Sequence, residues 1–461
     1  LQEQYIRDFK SMKLTDIRGM NNYDCRALLP GGNLWQLSDG RSVTCDHGPC
    51  RTGIRCDLRD SGCDYFNAVA LASNAEFIVT NYSYWVAQRM NVAYRNRDSS
   101  IGDFDTIILD EAHDAPDNLC SALAIEITAE DLAMLLSSDP ESEEIKDWQA
   151  WASRHQTPLN ARIAALEAAL KVSKAVKNDV VAMLHYKQLL AKLERIAGIA
   201  GRWVVERTSK GFLLEPVWPA EYTEELLYAG ASKVVLMSAT IRPKTAEILG
   251  ISEFDWADYP SSFPVSRRPF YTVPTVRMHY KMPDGDKRYW AQRISQIVRS
   301  RPHVKGIIHT VSYDRAKYLV ENLDVGDIPV FTHTGYTTRA TVEKFKRAKN
   351  GVIISPSLST GYDFPYDLCR YQIIGKVPWP DTRGAVMQAR RGIDKEYPAY
   401  ITAQQIVQMA GRGTRSADDF SEVFCVDDFM LGMLAAYRHL FPASFLETVQ
   451  SARIIPKEPS Y

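Results

Sequence analysis

The sequence has no run of about 18 apolar residues, the length a membrane-crossing helix needs, and no charged-then-apolar leader at its start. Both absences predict a soluble cytosolic (cytoplasmic) protein with no membrane partner. Nor is either charge in excess: 55 Lys and Arg stand against 56 Asp and Glu, a formal net charge of −1. A uniformly basic nucleic-acid binder is thereby excluded, and any contact with phosphate has to come from local patches. No segment repeats at a fixed period of about 20 to 50 residues, which argues against solenoids and propellers. Hydrophobic residues make up 45% and charged residues 24%, the balance of a folded globular protein rather than a disordered or fibrous one. With 461 residues the chain is too long for one compact core, and about two or three domains are expected. It starts with Leu rather than Met, which predicts a processed or truncated product.

Cysteine is sparse but uneven. Of 8 cysteines, those at 25, 45, 50, 56 and 63 fall near the start. In a reducing compartment such a cluster reads as metal binding rather than as disulfides. The stretch from Arg18 to Cys63 is rich in Gly, Asp, Arg and Cys and has little apolar periodicity, so it should be a loop-rich insert held by a staple. Thiolates hold either zinc or an iron-sulfur cluster, and spacing alone does not choose between them. Paired C-x₂₋₄-C spacings are absent, which counts against zinc.

Strand-like and helix-like stretches alternate along the remainder, which predicts an α/β fold with parallel sheets. A helix over 65–75 leads into a strand over 76–80. Thr106 to Leu109 reads as a buried parallel strand that delivers Asp110-Glu111-Ala112-His113 at its carboxyl end, where open α/β sheets bind ligands. Leu159, Ile163, Leu166 and Leu170 keep one apolar stripe and Leu189, Leu190, Leu193 and Ile196 another, so two long antiparallel helices are expected there. Further strands are expected at 234–237, 306–309, 352–355, 372–374 and 423–426, with a helix over 313–323. The Pro-rich stretch 259–274 reads as a linker between two sheets.

Several short strings carry chemistry. Two adjacent carboxylates after a buried strand suit nucleotide hydrolysis: Asp110 to hold Mg²⁺ through its waters, Glu111 to orient or deprotonate the attacking water, and His113 to link the site to a neighbouring element. The structural alternative is an acidic helix N-terminus. Gln408-Met409-Ala410-Gly411-Arg412-Gly413-Thr414-Arg415 spaces two arginines so that one helical face can offer both to a phosphate. A solvated basic helix is the plain alternative, and Gly411 and Gly413 weaken it. Ser238-Ala239-Thr240 follows a strand directly, although Ser and Thr are also routine helix caps. Ser359 to Pro365, including Gly361 and Asp363, is a turn suited to nucleotide or nucleic-acid backbone, or an ordinary βα loop.

Taken in order, these strings resemble the superfamily 2 iron-sulfur helicases of the DinG/XPD kind. Leu1 to Tyr5 resembles the end of motif Ia, Asn22-Tyr23-Asp24-Cys25 the start of the cluster domain, and Cys63-Asp64-Tyr65-Phe66 its end. Asn81-Tyr82-Ser83-Tyr84 resembles the tract that follows, and motifs II to VI then match at 110–113, 238–240, around His309-Thr310, at 359–365 and at 408–415. The resemblance implies two RecA-like domains, the first truncated at its N-terminus, with an iron-sulfur loop insertion and a helical Arch insertion. It divides the chain into 1–18 (remnant of the first RecA-like domain), 19–66 (cluster), 67–125 (first RecA-like domain), 126–212 (Arch), 213–258 (rest of the first domain and linker) and 259–461 (second RecA-like domain). It further implies ATP, Mg²⁺ and a [4Fe-4S] cluster as cofactors, 5′ to 3′ movement, and single-stranded or forked DNA as partner. Cys25, Cys50, Cys56 and Cys63 are the implied cluster ligands, with Cys45 in place of Cys50 still open. Arg412 and Arg415, with Gln408 nearby, are implied to serve the γ-phosphate; Ser238, Thr240, Gly361 and Asp363 are the remaining implied nucleotide contacts. One departure is large: the family's G-x-x-x-x-G-K-[ST] loop, which cradles the β- and γ-phosphates, occurs nowhere in the chain. The expectation is a chain that hydrolyses ATP negligibly alone and needs a missing segment or second chain that carries the loop. The rival expectation is a non-catalytic, metal-stapled DNA-binding scaffold descended from such a helicase.

Overall fold

The structure, a computed structural model, describes residues 2–27, 43–48, 50, 56–60, 62–95, 98–172, 177–358, 362, 364–414 and 418–459. It forms two compact units: one of Leu1–Ser238, Pro243–Phe254 and Arg383–Arg390, the other of Ala239–Arg242, Asp255–Thr382 and Arg391–Tyr461.

The second unit is built on a seven-stranded sheet in the order Val330–Thr332, Gly351–Ser355, Lys305–His309, Tyr371–Ile374, Glu422–Asp427, Phe270–Val276 and Val449–Ser451. Every pairing in it is parallel. Its central strands are buried at every position, which is why they read as unbroken apolar runs rather than as alternation. Alternate residues serve opposite faces: Ile308, Ile354 and Ile373 pack with Trp290, Ile294, Ile297 and Val298 of the helix Asp284–Arg299, whereas Ile307 and Ile353 pack with Val342 and Phe345 of Thr338–Arg347. Gly306 is required by close approach, since a Cβ there would lie 2.2 Å from the Tyr371 ring.

Residues 270–274 are not a linker, as the sequence suggested, but part of the strand Phe270–Val276, seated between two partners. Pro274 is tolerated because it falls at the register shift, after the pairs that end at Thr272 and before Val276 meets Asp427.

In the first unit Phe104–Asp110 pairs in parallel with Ala231–Met237, and Thr15–Asp16 pairs with Ile78–Val79. The sequence predicted a buried strand here, and that is corrected: Ile108 is 62% exposed and its cross-strand neighbour Val235 45%. Among the described residues this pair forms a sheet of two strands with one face uncovered, so apolar composition alone misjudged its burial. Long helices occupy Ile145–Val172 and Lys177–Ala197, with Trp148, Trp151, Leu159 and Ile163 of the first and Leu189, Leu193 and Ile196 of the second buried. The side chain of Leu170 lies outside the described residues. Flanking these helices is an antiparallel sheet of Ile125–Thr128, Gly211–Pro216 and Trp203–Thr208, where the sequence reading had foreseen only helices. Thr128 closes a capping box with Asp131, which in turn takes Lys192 Nζ at 2.7 Å and so ties the second long helix to the sheet. No helix among the described residues is long and apolar enough to cross a membrane.

Candidate functional site

Asp110 ends its strand, and the chain turns sharply after it. Glu111 takes φ 49°, a left-handed conformation uncommon for a residue with a side chain. The turn folds the Glu111 amide back onto Asp110 Oδ1 at 2.8 Å. Two phenols complete the setting: Tyr5 donates to Asp110 Oδ2 at 2.7 Å, and Tyr82 donates to the Asp110 carbonyl at 2.9 Å. Burial, reinforced by the Asp110 charge, pushes both phenols above their ordinary range, so both stay protonated donors.

Ser238, just beyond the neighbouring strand, donates to Glu111 Oε2 at 3.0 Å. His113 Nδ1 lies 2.8 Å from the same serine oxygen and 3.3 Å from Glu111 Oε2. The serine proton is committed to the carboxylate, so its oxygen accepts from a proton on His113 Nδ1. On the far side of the ring, Nε2 stands 3.3 Å from Asp114 Oδ1; burial raises the Asp114 carboxyl against the opposing pull of His113. The first unit thus holds Asp110, Glu111, His113 and Ser238 in one hydrogen-bonded group at a strand end. Parallel pairing of Asp110 with Met237 is what aligns the two loops.

In the second unit, Thr240 Oγ1 accepts from Gln408 Nε2 at 3.2 Å, and Gln404 Nε2 donates to the Thr240 carbonyl at 3.3 Å. Both glutamines lie on the helix Tyr397–Ala410. That helix stops at Ala410, so Arg412 and Arg415 do not share a helical face, contrary to the sequence expectation. Gly413 gives the reason, because a Cβ on it would sit 2.0 Å from Ser421 Oγ and only glycine can pass. Arg412 instead donates from Nη1 to the Tyr362 carbonyl at 3.0 Å. Arg415, Gly361 and Asp363 lie outside the described residues.

Cys25, Cys45, Cys50, Cys56 and Cys63 line one small cavity with Leu58 and Phe66. A short ladder explains part of this convergence: the amide of Cys25 bonds to Val43 and that of Cys45 to Tyr23, each at 2.8 Å, so the two thiols are brought side by side. Cys45, the spare in the sequence reading, is therefore no farther from the group than Cys50. Among the described residues no set of three or more His, Cys, Asp or Glu side chains is arranged to hold a metal ion. The donor chemistry of the cavity, sulfur throughout, suits soft metals and iron-sulfur clusters.

Tyr5, Tyr82 and Gln404 were not singled out from the sequence as site residues. Tyr5 and Tyr82 belong to the strings at 1–5 and 81–84, but a phenol shows no role until its partner is known.

A family model for the helicase C-terminal domain matches residues 294–448, and the DEAD_2 family model matches residues 55–132. Among solved structures, that of S. tokodaii Xpd4 is similar at 13% identity and a TM-score of 0.50, covering 82% of this chain and 83% of that one. A structure described as an XPD helicase is similar at 15% identity and a TM-score of 0.52, covering 86% of this chain and 76% of that one. No curated protein matches the sequence.

Proposed function

The chain belongs to the superfamily 2 helicases of the DinG/XPD-like kind, and from that premise we propose that it is the body of an ATP-dependent DNA helicase moving 5′ to 3′ on single-stranded or forked DNA. The observation that carries this reading is the group at the end of the Phe104–Asp110 strand, where Ser238 and His113 fix the Glu111 carboxylate beside Asp110. Asp110 is the residue that would hold Mg²⁺, which when bound supplies positive charge between the β- and γ-phosphates. Glu111 orients the attacking water and takes its proton, and the serine-histidine pair holds that carboxylate in place. Arg412 and Arg415 stabilise charge on the transferred phosphoryl group, with Gln408 and Thr240 linking their helix to the Ser238 tripeptide. Gly361 and Asp363 contribute contacts from their turn.

A phosphate-cradling loop is not encoded in these 461 residues. The uncovered face formed by Ile108, Val235 and Met237, the last 42% exposed, favours a further α/β segment that packs there and carries the loop, since apolar area in water costs about 25 cal/mol per Å². ATPase measurements on the purified chain, alone and with such a segment supplied in cis or in trans, test this directly. We expect a negligible rate alone and DNA-stimulated turnover with the segment. Robust hydrolysis by the chain alone would defeat the two-part reading, and silence in both arms would favour a scaffold that has lost its motor.

The cysteine cavity is the place for a [4Fe-4S] cluster, held by Cys25, Cys50, Cys56 and Cys63 or with Cys45 in place of Cys50. Anaerobic reconstitution with iron and sulfide should give a brown protein that absorbs near about 400 nm. Serine substitutions at 45 and 50 then identify the fourth ligand by which of them bleaches the colour. A colourless protein with stoichiometric zinc would remove the assignment.

A further inference from the structure

The parallel sheet of the second unit changes direction between two adjacent strands. From Lys305–His309 the chain runs through the helix Tyr313–Asn322 toward the Val330–Thr332 edge, whereas from Tyr371–Ile374 it leaves toward Glu422–Asp427 on the other side. The two strands are neighbours, with Ile374 paired to His309. Their connections part at the carboxyl ends, and such a switch point opens the crevice in which sheets of this kind bind ligands.

The two departing loops bring positive charge to this crevice without a counter-ion. Arg315 lies in the first turn of the departing helix, its Nη1 donating to Ser312 Oγ at 3.1 Å. Lys376 follows Gly375, whose amide is held by the His309 carbonyl at 2.9 Å. Both cations are partly buried, and among the described residues neither has a carboxylate within ion-pair distance. Burial, then the field of Arg315, lowers the Lys376 ammonium from its ordinary range; burial likewise lowers Arg315, with Asp427 and the neighbouring Asp314 pulling the other way. Asp427 faces both cations, yet its oxygens already accept from the amides of Met278 and Phe429 at 3.0 Å and of Val377 at 2.9 Å. Positive charge is thus left unbalanced at a place water reaches poorly, an arrangement that an anion relieves. Between the two loops Val311 is held at φ 65°, which a β-branched residue rarely adopts. Strain of this kind persists where the surrounding structure has a use for it.

We propose that this crevice binds a phosphodiester group of a single nucleic-acid strand, gripped between the Lys376 ammonium and the Arg315 guanidinium. The inference rests on the helicase reading and adds to it a contact on the second unit that none of the sequence strings marks. Arginine offers a planar fork of donors and lysine a point charge, a pair suited to a phosphate that must be held and released.

Binding of a fluorescein-labelled oligothymidylate to the whole chain, titrated across a range of salt concentrations, tests it. For single strands the slope of log K against log salt changes by about 0.7 per phosphate neutralised. Lys376→Ala and Arg315→Ala should each flatten the slope by about that amount, while Lys376→Arg keeps it. If the wild-type chain binds the oligomer and neither alanine variant alters the slope, the crevice is not a strand contact, and the helicase reading survives. If the wild-type chain does not bind the oligomer, the helicase reading and the phosphodiester assignment fall together. Phosphorus-31 line broadening of inorganic phosphate, lost in Lys376→Ala, would in that event assign the crevice to free phosphate instead.

Discussion

Glu111→Gln, in the chain completed by a phosphate-loop segment, is expected to lower kcat for ATP about 10²- to 10⁴-fold, the usual contribution of a general base. KM should move far less, because a carboxylate that acts on water contributes to the transition state rather than to nucleotide binding. Geometry supports so large an effect. Glu111 is carried on a left-handed turn and its Oε2 accepts from Ser238 at 3.0 Å, so the amide of glutamine keeps the shape and the serine contact while losing the basicity. Ser238→Ala offers the graded comparison: it leaves the base present but frees it to rotate, and its loss should be smaller than that of Glu111→Gln. Steady-state ATPase with single-stranded DNA present is the measurement. A loss under tenfold in Glu111→Gln would move the water-activating role to another group.

What the sequence disclosed about this site, and what it did not, follows from the range of each interaction. Asp110 and Glu111 were legible because a short apolar strand followed by two acids is a local pattern, and the strand Phe104–Asp110 ends where that pattern says. Ser238 was legible as a position after a strand, but its bond to Glu111 spans 127 residues and depends on the parallel register that sets Asp110 opposite Met237. Burial was misjudged at Ile108, because an apolar strand reads the same whether or not its face is covered. The arginine string was misjudged for the opposite reason: the fit of Gly413 against Ser421 ends the helix at Ala410, and no periodicity announces a tertiary contact. Pro274 pointed to a linker and instead marks an irregularity inside a strand. The cysteines were grouped correctly by proximity in the chain, while the ladder that draws Cys45 to Cys25 needed coordinates.

The largest stability effect is expected far from any nucleotide chemistry, at Arg301. Its guanidinium forms a bidentate pair with Glu422, Nε to Oε2 and Nη2 to Oε1 both at 2.9 Å, with the two side chains 0% and 1% exposed. It also lies 4.7 Å over the Phe424 ring and donates to the Pro456 carbonyl at 3.0 Å. Arg301→Ala leaves the carboxylate buried without its partner and should cost about 3–5 kcal/mol. Burial already holds the Glu422 carboxyl above its usual range against the pull of Arg301, and removing the arginine raises it further. In the variant the folded state then binds more protons than the unfolded state above the usual carboxylate range, so its stability falls as pH rises, and the deficit against wild type shrinks on acidification. The double change Arg301→Met with Glu422→Leu should recover most or all of the loss, because apolar side chains of similar volume need no counter-charge. Hydrogen exchange of the amides in Glu422–Asp427 reads the opening free energy of this strand without requiring both units to unfold together. A single substitution that costs less than about 1 kcal/mol, or a double no better than the single, would mean that water reaches Glu422 once the arginine is gone.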